Sequence, residues 1–326
     1  MLIPYYWAES RLQSKSRGKQ VTVKRWGWSD ISQQDAQAHA EKRAAEAMGR
    51  IQSGETLRRR DRTDPYGTED GVPIREEVVS RHGNVAITRN SYGSLCLNTP
   101  DVFFADVDAT WEGEINLRAK GCLLILLGGI AVGIWAKSAP LAIGIMMLTL
   151  WLTFFITNWI NRRRRPAGEA QAKVDNLSAI RQFSATHPDW HVRIYETPAG
   201  YRILAMHDVF DPQGAPAKEA LQALNSDKRF ARLCALQSCF RARVSPKFWR
   251  IGYQPAESLP KSKWPFRPEH LPRRKAWVAG YEALAPQFAS CRFIERLGSH
   301  TVHPEAEAVR ELHDRLCQAD SPLPLG

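Results

Sequence analysis

Two aspartates set the first chemical possibility in this sequence. Phe103-Phe104-Ala105-Asp106-Val107-Asp108 reads as a strand, so Asp106 and Asp108 share one face and apolar residues occupy the other. Carboxylates this close repel unless a cation neutralises them. A divalent ion such as Mg²⁺ or Mn²⁺, held for phosphoryl or nucleotidyl transfer, is one such cation. Water at a strand end, or a pairing with arginines, is the plainer alternative. A second candidate lies downstream. In Phe240-Arg241-Ala242-Arg243-Val244, alternation puts Arg241 and Arg243 on one strand face, and Lys247 and Arg250 follow closely. These four would face an anion such as phosphate. Arg241 and Arg243 would otherwise neutralise Asp106 and Asp108, which turns both sites into one ion-pair network.

A third segment bears on the first. Arg193-Ile194-Tyr195-Glu196-Thr197-Pro198-Ala199-Gly200-Tyr201-Arg202 reads as a hairpin with Thr197, Gly200 and Arg202 at its turn. An acidic-pair strand followed by such a hairpin resembles the core of archaeo-eukaryotic-type primases and primase-polymerases. That resemblance implies an RRM-like sheet, a metal held by Asp106 and Asp108, and nucleotide phosphates contacted at Thr197, Gly200 and Arg202. It also implies either a Mg²⁺- or Mn²⁺-dependent nucleotidyltransferase or a catalytically silent nucleotide binder. The family's phosphate-contacting histidine has no counterpart here, where Tyr201 and Arg202 stand. Asp208 and Asp211 come early for its third acid.

From Arg241 to Lys275 ten basic residues face only Glu257 and Glu269, with Phe248, Trp249, Tyr253, Trp264 and Phe266 interleaved. Cations that track phosphates and rings that stack bases suit single-stranded nucleic acid. The same composition suits an anionic lipid surface. A solvated basic face over an aromatic core is the third reading.

Cysteine and histidine chemistry is not prominent. Cys96, Cys122, Cys234, Cys239, Cys291 and Cys317 form no CxxC pair, so packed, reduced thiols are expected. His187 and His191 are separated by Pro188. His300 and His303 are the other close pair, and no ligand spacing for a structural metal stands out.

These residues must be positioned by a chain of 326 residues with a net charge of +11 and a mean hydropathy of −0.38. The average conceals a block. Gly121–Ile160 carries one charge, Lys137. Two spans are expected, 121–136 and 141–160, broken at Lys137-Ser138-Ala139-Pro140. Arg118 and Lys120 precede the first, and Arg162, Arg163, Arg164 and Arg165 follow the second, so both flanks are expected to be cytosolic. Gly129 and Gly133 permit close helix approach, either within this hairpin or by self-association. With no ionisable residue inside either span, an anchor is expected rather than a channel or transporter. Met1–Ser10 lacks the basic start of a cleavable leader.

The flanks read as α+β. A hairpin is expected over 3–11 and 21–28, then a helix capped near Ser32. Strands 74–81, 85–89 and 94–97 form a meander that strand 102–108 closes. After the arginines come a helix over 168–184, the hairpin 190–197 and 201–207, and helices 217–224 and 227–237, with Ser226 as N-cap of the latter. Strands 240–244 and 249–253, a helix over 276–284, a strand over 292–297 and a final helix from Pro304 complete the chain. The organisation is an N-terminal segment 1–118, a membrane hairpin 119–161, and a segment 162–326 sharing a core with the first. The resulting expectation is a two-pass protein of the cell membrane, both termini cytosolic. Its basic α+β body would bind an anionic partner: lipid surface, nucleotide or nucleic acid. The alternative is a tethered primase-like nucleotidyltransferase.

Overall fold

The computed structural model describes residues 1–16, 19–61, 71–111, 113–115, 119–254 and 264–326. It is mixed α+β, with antiparallel sheets and packed helices. The chain divides into two units: Met1–Asp108 with Ile180–Gly326, and Ala109–Ala179.

The first unit opens with a hairpin of β1 (Tyr6–Ser16) and β2 (Lys19–Ser29), paired from Tyr6–Ser29 to Ser16–Lys19. Helix α1 (Gln33–Gln52) lies on it, and its N-cap Ser32 accepts a hydrogen bond from the Asp35 amide at 3.0 Å. Small residues set the distance: Ala36 and Ala40 pack against Ala8, and a Cβ on Gly27 would lie 2.1 Å from the Ala40 nitrogen. The meander follows as β3 (Glu77–His82), β4 (Val85–Arg89) and β5 (Leu95–Thr99).

Strand β6 (Phe104–Asp108) does not close that meander. The chain turns at Thr99–Asp101, where the Thr99 hydroxyl accepts from the Val102 amide, and β6 enters a second sheet. That sheet has the order β10-β7-β8-β6, built from β7 (His191–Thr197), β8 (Gly200–Ala205) and β10 (Arg292–Gly298). The meander is completed instead by β9 (Phe240–Arg243), which pairs with β5. Sequence-distant strands therefore pair in both four-stranded sheets. Phe103, Phe104, Leu97, Ile194, Ile203, Leu204 and Phe240 are fully buried in this unit.

Between β8 and β9 stand α4 (Ala215–Ala223) and α5 (Lys228–Gln237). The N-cap of α5 is Asp227 rather than the expected Ser226, whose hydroxyl is taken by the Asp106 carbonyl at 2.9 Å. Residues 249–253 form a turn, not a strand, because the Arg250 amide bonds the Lys247 carbonyl and the Tyr253 amide the Phe248 carbonyl. Helix α6 (Leu271–Leu284) starts five residues earlier than expected, and α7 (Pro304–Cys317) has proline in its first turn.

The second unit contains α2 (Ala119–Ala136) and most of α3 (Ala139–Thr186). Among the described residues α3 is the one helix long and apolar enough to cross a membrane, where two such spans were expected. With 18 residues α2 reaches about 27 Å. The expected break after Ile160 is absent: α3, 48 residues long in all, continues through the four arginines and Pro166 and absorbs the helix expected over 168–184. Gly129 lets α2 approach α3, since a Cβ there would stand 3.2 Å from the Met146 Cβ. The hydroxyls of Thr149, Thr153 and Thr157 bond carbonyls four residues back at 2.7–2.8 Å, which satisfies them within the helix. Trp151, Phe154 and Phe155 stand exposed on it, and Arg163 covers the Trp159 ring at 4.1 Å.

Candidate functional site

Register decides what the acidic strand meets. Asp106 lies opposite Arg202 and Asp108 opposite Gly200 in the antiparallel β6–β8 pair. Arg202 Nε donates to Asp106 Oδ1 at 2.9 Å. The same guanidinium donates to the Arg243 carbonyl at 2.8 Å and stands 3.3 Å from His313 Nε2. Its side chain is 5% exposed, against 30% for Asp106. Burial opposes its charge, but the adjoining Asp106 carboxylate more than restores it. Asp106 is thus a counter-ion, and Arg202 a cation held inside the sheet.

Asp108 sits one step beyond, at the strand end. Burial raises its carboxyl above the usual range; the nearby Asp106 and Asp227 carboxylates raise it further, and Lys247 and Arg243 pull the other way. The third acid beside the pair is therefore Asp227. Its amide donates to the Asp106 carbonyl at 3.0 Å, and its carboxylate caps α5 through the Phe230 amide. Asp208 and Asp211 follow the far end of β8, away from Asp108.

The basic residues separate into different roles. Arg241 is bound to buried Glu76 at 2.5 Å and belongs to the meander, not to the acidic strand. Arg243, Lys247 and Arg250 come together, because β9 ends at Arg243 and the 247–250 turn folds back. Burial and the charges of Arg243 and Arg250 pull the Lys247 amine down to about 8. Trp249, 50% exposed, lies 5.5 Å from the Lys247 ammonium. Thr197 and Gly200 close the β7–β8 turn: the Thr197 hydroxyl accepts from the Gly200 amide at 3.1 Å. This turn stands at the same sheet end as Asp108.

Arg274, from the same basic stretch, is engaged elsewhere. It is buried under Phe266 and Trp277 and donates to the Asn90 carbonyl. Lys261 and Lys263 lie outside the described residues.

One grouping escaped sequence reasoning. Cys291, His313 and Cys317 place their ligand atoms within 4.8 Å of one another, and all three are buried. His313 Nδ1 stands 2.9 Å from Asp314 Oδ1, and its Nε2 3.9 Å from Cys291 Sγ. The available signal was the four-residue spacing of His313 and Cys317, which puts both on one face of α7. The histidine pairs that drew attention do other work: His187 stacks on Phe183, and His303 caps α7.

No family model, no curated protein and no solved structure matches the chain.

Proposed function

We propose that this chain is a membrane-anchored module whose α+β body binds a phosphate-bearing ligand at Arg243, Lys247 and Arg250. The observation that carries the reading is the gathering of these three cations at the strand end that also holds Asp108. Counting neighbours, Asp106, Asp108 and Asp227 bring three negative charges, and Arg202, Arg243, Lys247 and Arg250 bring four positive ones. Asp106 and Asp108 already have cations near them. A bare divalent ion would add to a positive excess, so the residues do not fit an Mg²⁺ or Mn²⁺ held by the acids alone. Burial lowers the Lys247 amine most, and an anion relieves the repulsion from Arg243 and Arg250 that adds to it. Trp249 offers a ring for stacking beside it.

Asp227 favours a second reading. Three carboxylates beside three cations would suit a nucleoside triphosphate arriving with its own Mg²⁺ or Mn²⁺, as the primase-like resemblance implies. Binding of nucleoside triphosphate by detergent-purified protein, with and without Mn²⁺, separates the two. Loss in Lys247→Ala with indifference to Mn²⁺ supports the anion module. Mn²⁺ dependence that Asp108→Asn abolishes supports the metal–nucleotide reading. Absence of binding under both conditions rejects both.

The anchor in this proposal is the α2–α3 pair crossing twice, with both flanks cytosolic. Supporting it are the apolar exposed face of α3, the approach of α2 at Gly129, and the arginines 162–165 after the apolar stretch. Labelling of single introduced cysteines at Ser138 and Ser321 in sealed membranes tests it; opposite accessibility is expected.

A further inference from the structure

We propose that Cys291, His313 and Cys317 form a binding site for one thiophilic divalent cation of the zinc type. Two thiols and an imidazole are the ligand types zinc takes. Their donor atoms lie within 4.8 Å of one another. Around tetrahedral zinc, bonds of about 2.0–2.3 Å place donors roughly 3.3–3.8 Å apart. Small side-chain movements therefore suffice to close the set, and the 3.9 Å between Cys291 Sγ and His313 Nε2 is already near that value.

The backbone holds the donors in place. His313 and Cys317 are successive turns of α7, on one face. Cys291 precedes β10 in a segment tied to the end of α7. The Ser290 amide donates to the Cys317 carbonyl, and the Phe293 amide to the Ala319 carbonyl, both at 2.9 Å. The Arg243 carbonyl, 3.8 Å from Cys317 Sγ, supplies a further oxygen donor at the cluster.

A second, independent observation points the same way. Metal-bound histidines usually give their other ring nitrogen to a carboxylate, which fixes tautomer and orientation. His313 Nδ1 has that partner in Asp314, leaving Nε2 toward the sulfurs. Asp314 is itself held by Arg193 at 3.1 Å and Arg310 at 3.3 Å. The outer shell of a metal site is thus assembled.

Charge balances when the ion enters. Each thiol gives up a proton, so two thiolates and one divalent cation sum to zero. Arg202 yields the His313 nitrogen to the metal and keeps both Asp106 and the Arg243 carbonyl. The Asp106–Arg202 pair of the candidate site would then rest against a metal-pinned α7. The three ligands are at most 1% exposed, so the role is structural and the ion enters during folding.

The test uses the full chain purified in detergent, loaded with Zn²⁺ or Co²⁺ and dialysed. One retained ion per chain is expected, and the cobalt form should show thiolate-to-cobalt charge-transfer absorption. Cys291→Ser and Cys317→Ser should each lose at least 100-fold in affinity, with Cys96→Ser unchanged. If the serine variants fail to fold, Asp314→Asn keeps all three ligands and should weaken binding about 10–100-fold. Chelation of the unaltered protein should lower its melting temperature, and added zinc should restore it. No retained metal, a cobalt spectrum without a thiolate band, or a Cys291–Cys317 disulfide in zinc-supplemented preparations would overturn the site.

Discussion

Replacing Asp106 by alanine should damage the fold more than replacing Arg202, although both changes break the same ion pair. The two partners differ in surroundings. Arg202 is enclosed, its side chain 5% exposed, whereas Asp106 keeps 30%. Removing the carboxylate leaves a buried guanidinium whose hydrogen-bond partners, among the described residues, are the Arg243 carbonyl and the His313 ring. Stranding a buried charge costs about 3–5 kcal/mol. Arg202→Met instead leaves a carboxylate that water reaches, and methionine fills much of the vacated space, so a cost of about 1–2 kcal/mol is expected, close to the loss of one charged hydrogen bond. For a unit of this size 1 kcal/mol moves the melting temperature by about 2–4 °C. Asp106→Ala should thus lower it on the order of 10 °C, and Arg202→Met by only a few degrees. The double variant should lie near Arg202→Met, because with the cation gone the carboxylate has little left to do. Tryptophan fluorescence during thermal unfolding in detergent reads all four proteins. Equal losses in the two single variants, or an Asp106→Ala protein as stable as the parent, would refute the view of Asp106 as counter-ion to a buried cation.

Asp108→Asn should raise stability at neutral pH, because burial and the Asp106 and Asp227 charges disfavour its ionised form. With the folded value above the unfolded one, the parent loses stability as pH rises through that interval; a melting series across mild acid should show this slope flattened in the variant. Ser226→Ala removes the hydroxyl that bonds the Asp106 carbonyl and should cost about 1 kcal/mol in denaturant titration. Phosphate binding should weaken as pH climbs past about 8, where the Lys247 amine loses its proton; ligand titrations from pH 7 to 9.5 check the direction. Gly129→Leu should force α2 away from α3 at Met146 and be seen as reduced crosslinking between cysteines introduced on the two helices.

Local features of this fold were legible because local chemistry fixes them. Ser32 with Asp35 marked the start of α1, and the Pro198-Ala199-Gly200 turn marked the β7–β8 hairpin. The apolar block from Gly121 to Ile160 announced a membrane-compatible helix. Pairings over long sequence distances were not legible. Strand β6 follows the meander in sequence yet leaves its sheet, and β9, about 140 residues later, takes the vacant edge. No local property of Phe104–Asp108 encodes that exchange. For the same reason Asp227 was missed as the third acid and Arg241 was misplaced beside the pair, since Glu76, just before β3, claims it. The aromatic residues of 249–253 favoured a strand, but bonds to the Lys247 and Phe248 carbonyls wind the segment into the turn that gathers the cations. The span was expected to end at Ile160, ahead of Arg162–Arg165, with a separate helix beginning at Gly168. The helix passes through them because proline removes one amide bond, and at this exposed position the freed carbonyl can meet water.

The central proposal, a phosphate-binding basic site on an anchored α+β body, is tested most directly by calorimetric titration of pyrophosphate into the full-length protein in detergent. Binding should be measurable, weaken with added salt, and fall at least tenfold in Lys247→Ala and again in Lys247→Ala with Arg250→Ala, at unchanged melting temperature. Affinity that is equal in the parent and both variants, or no heat of binding in the parent at low salt, would contradict it.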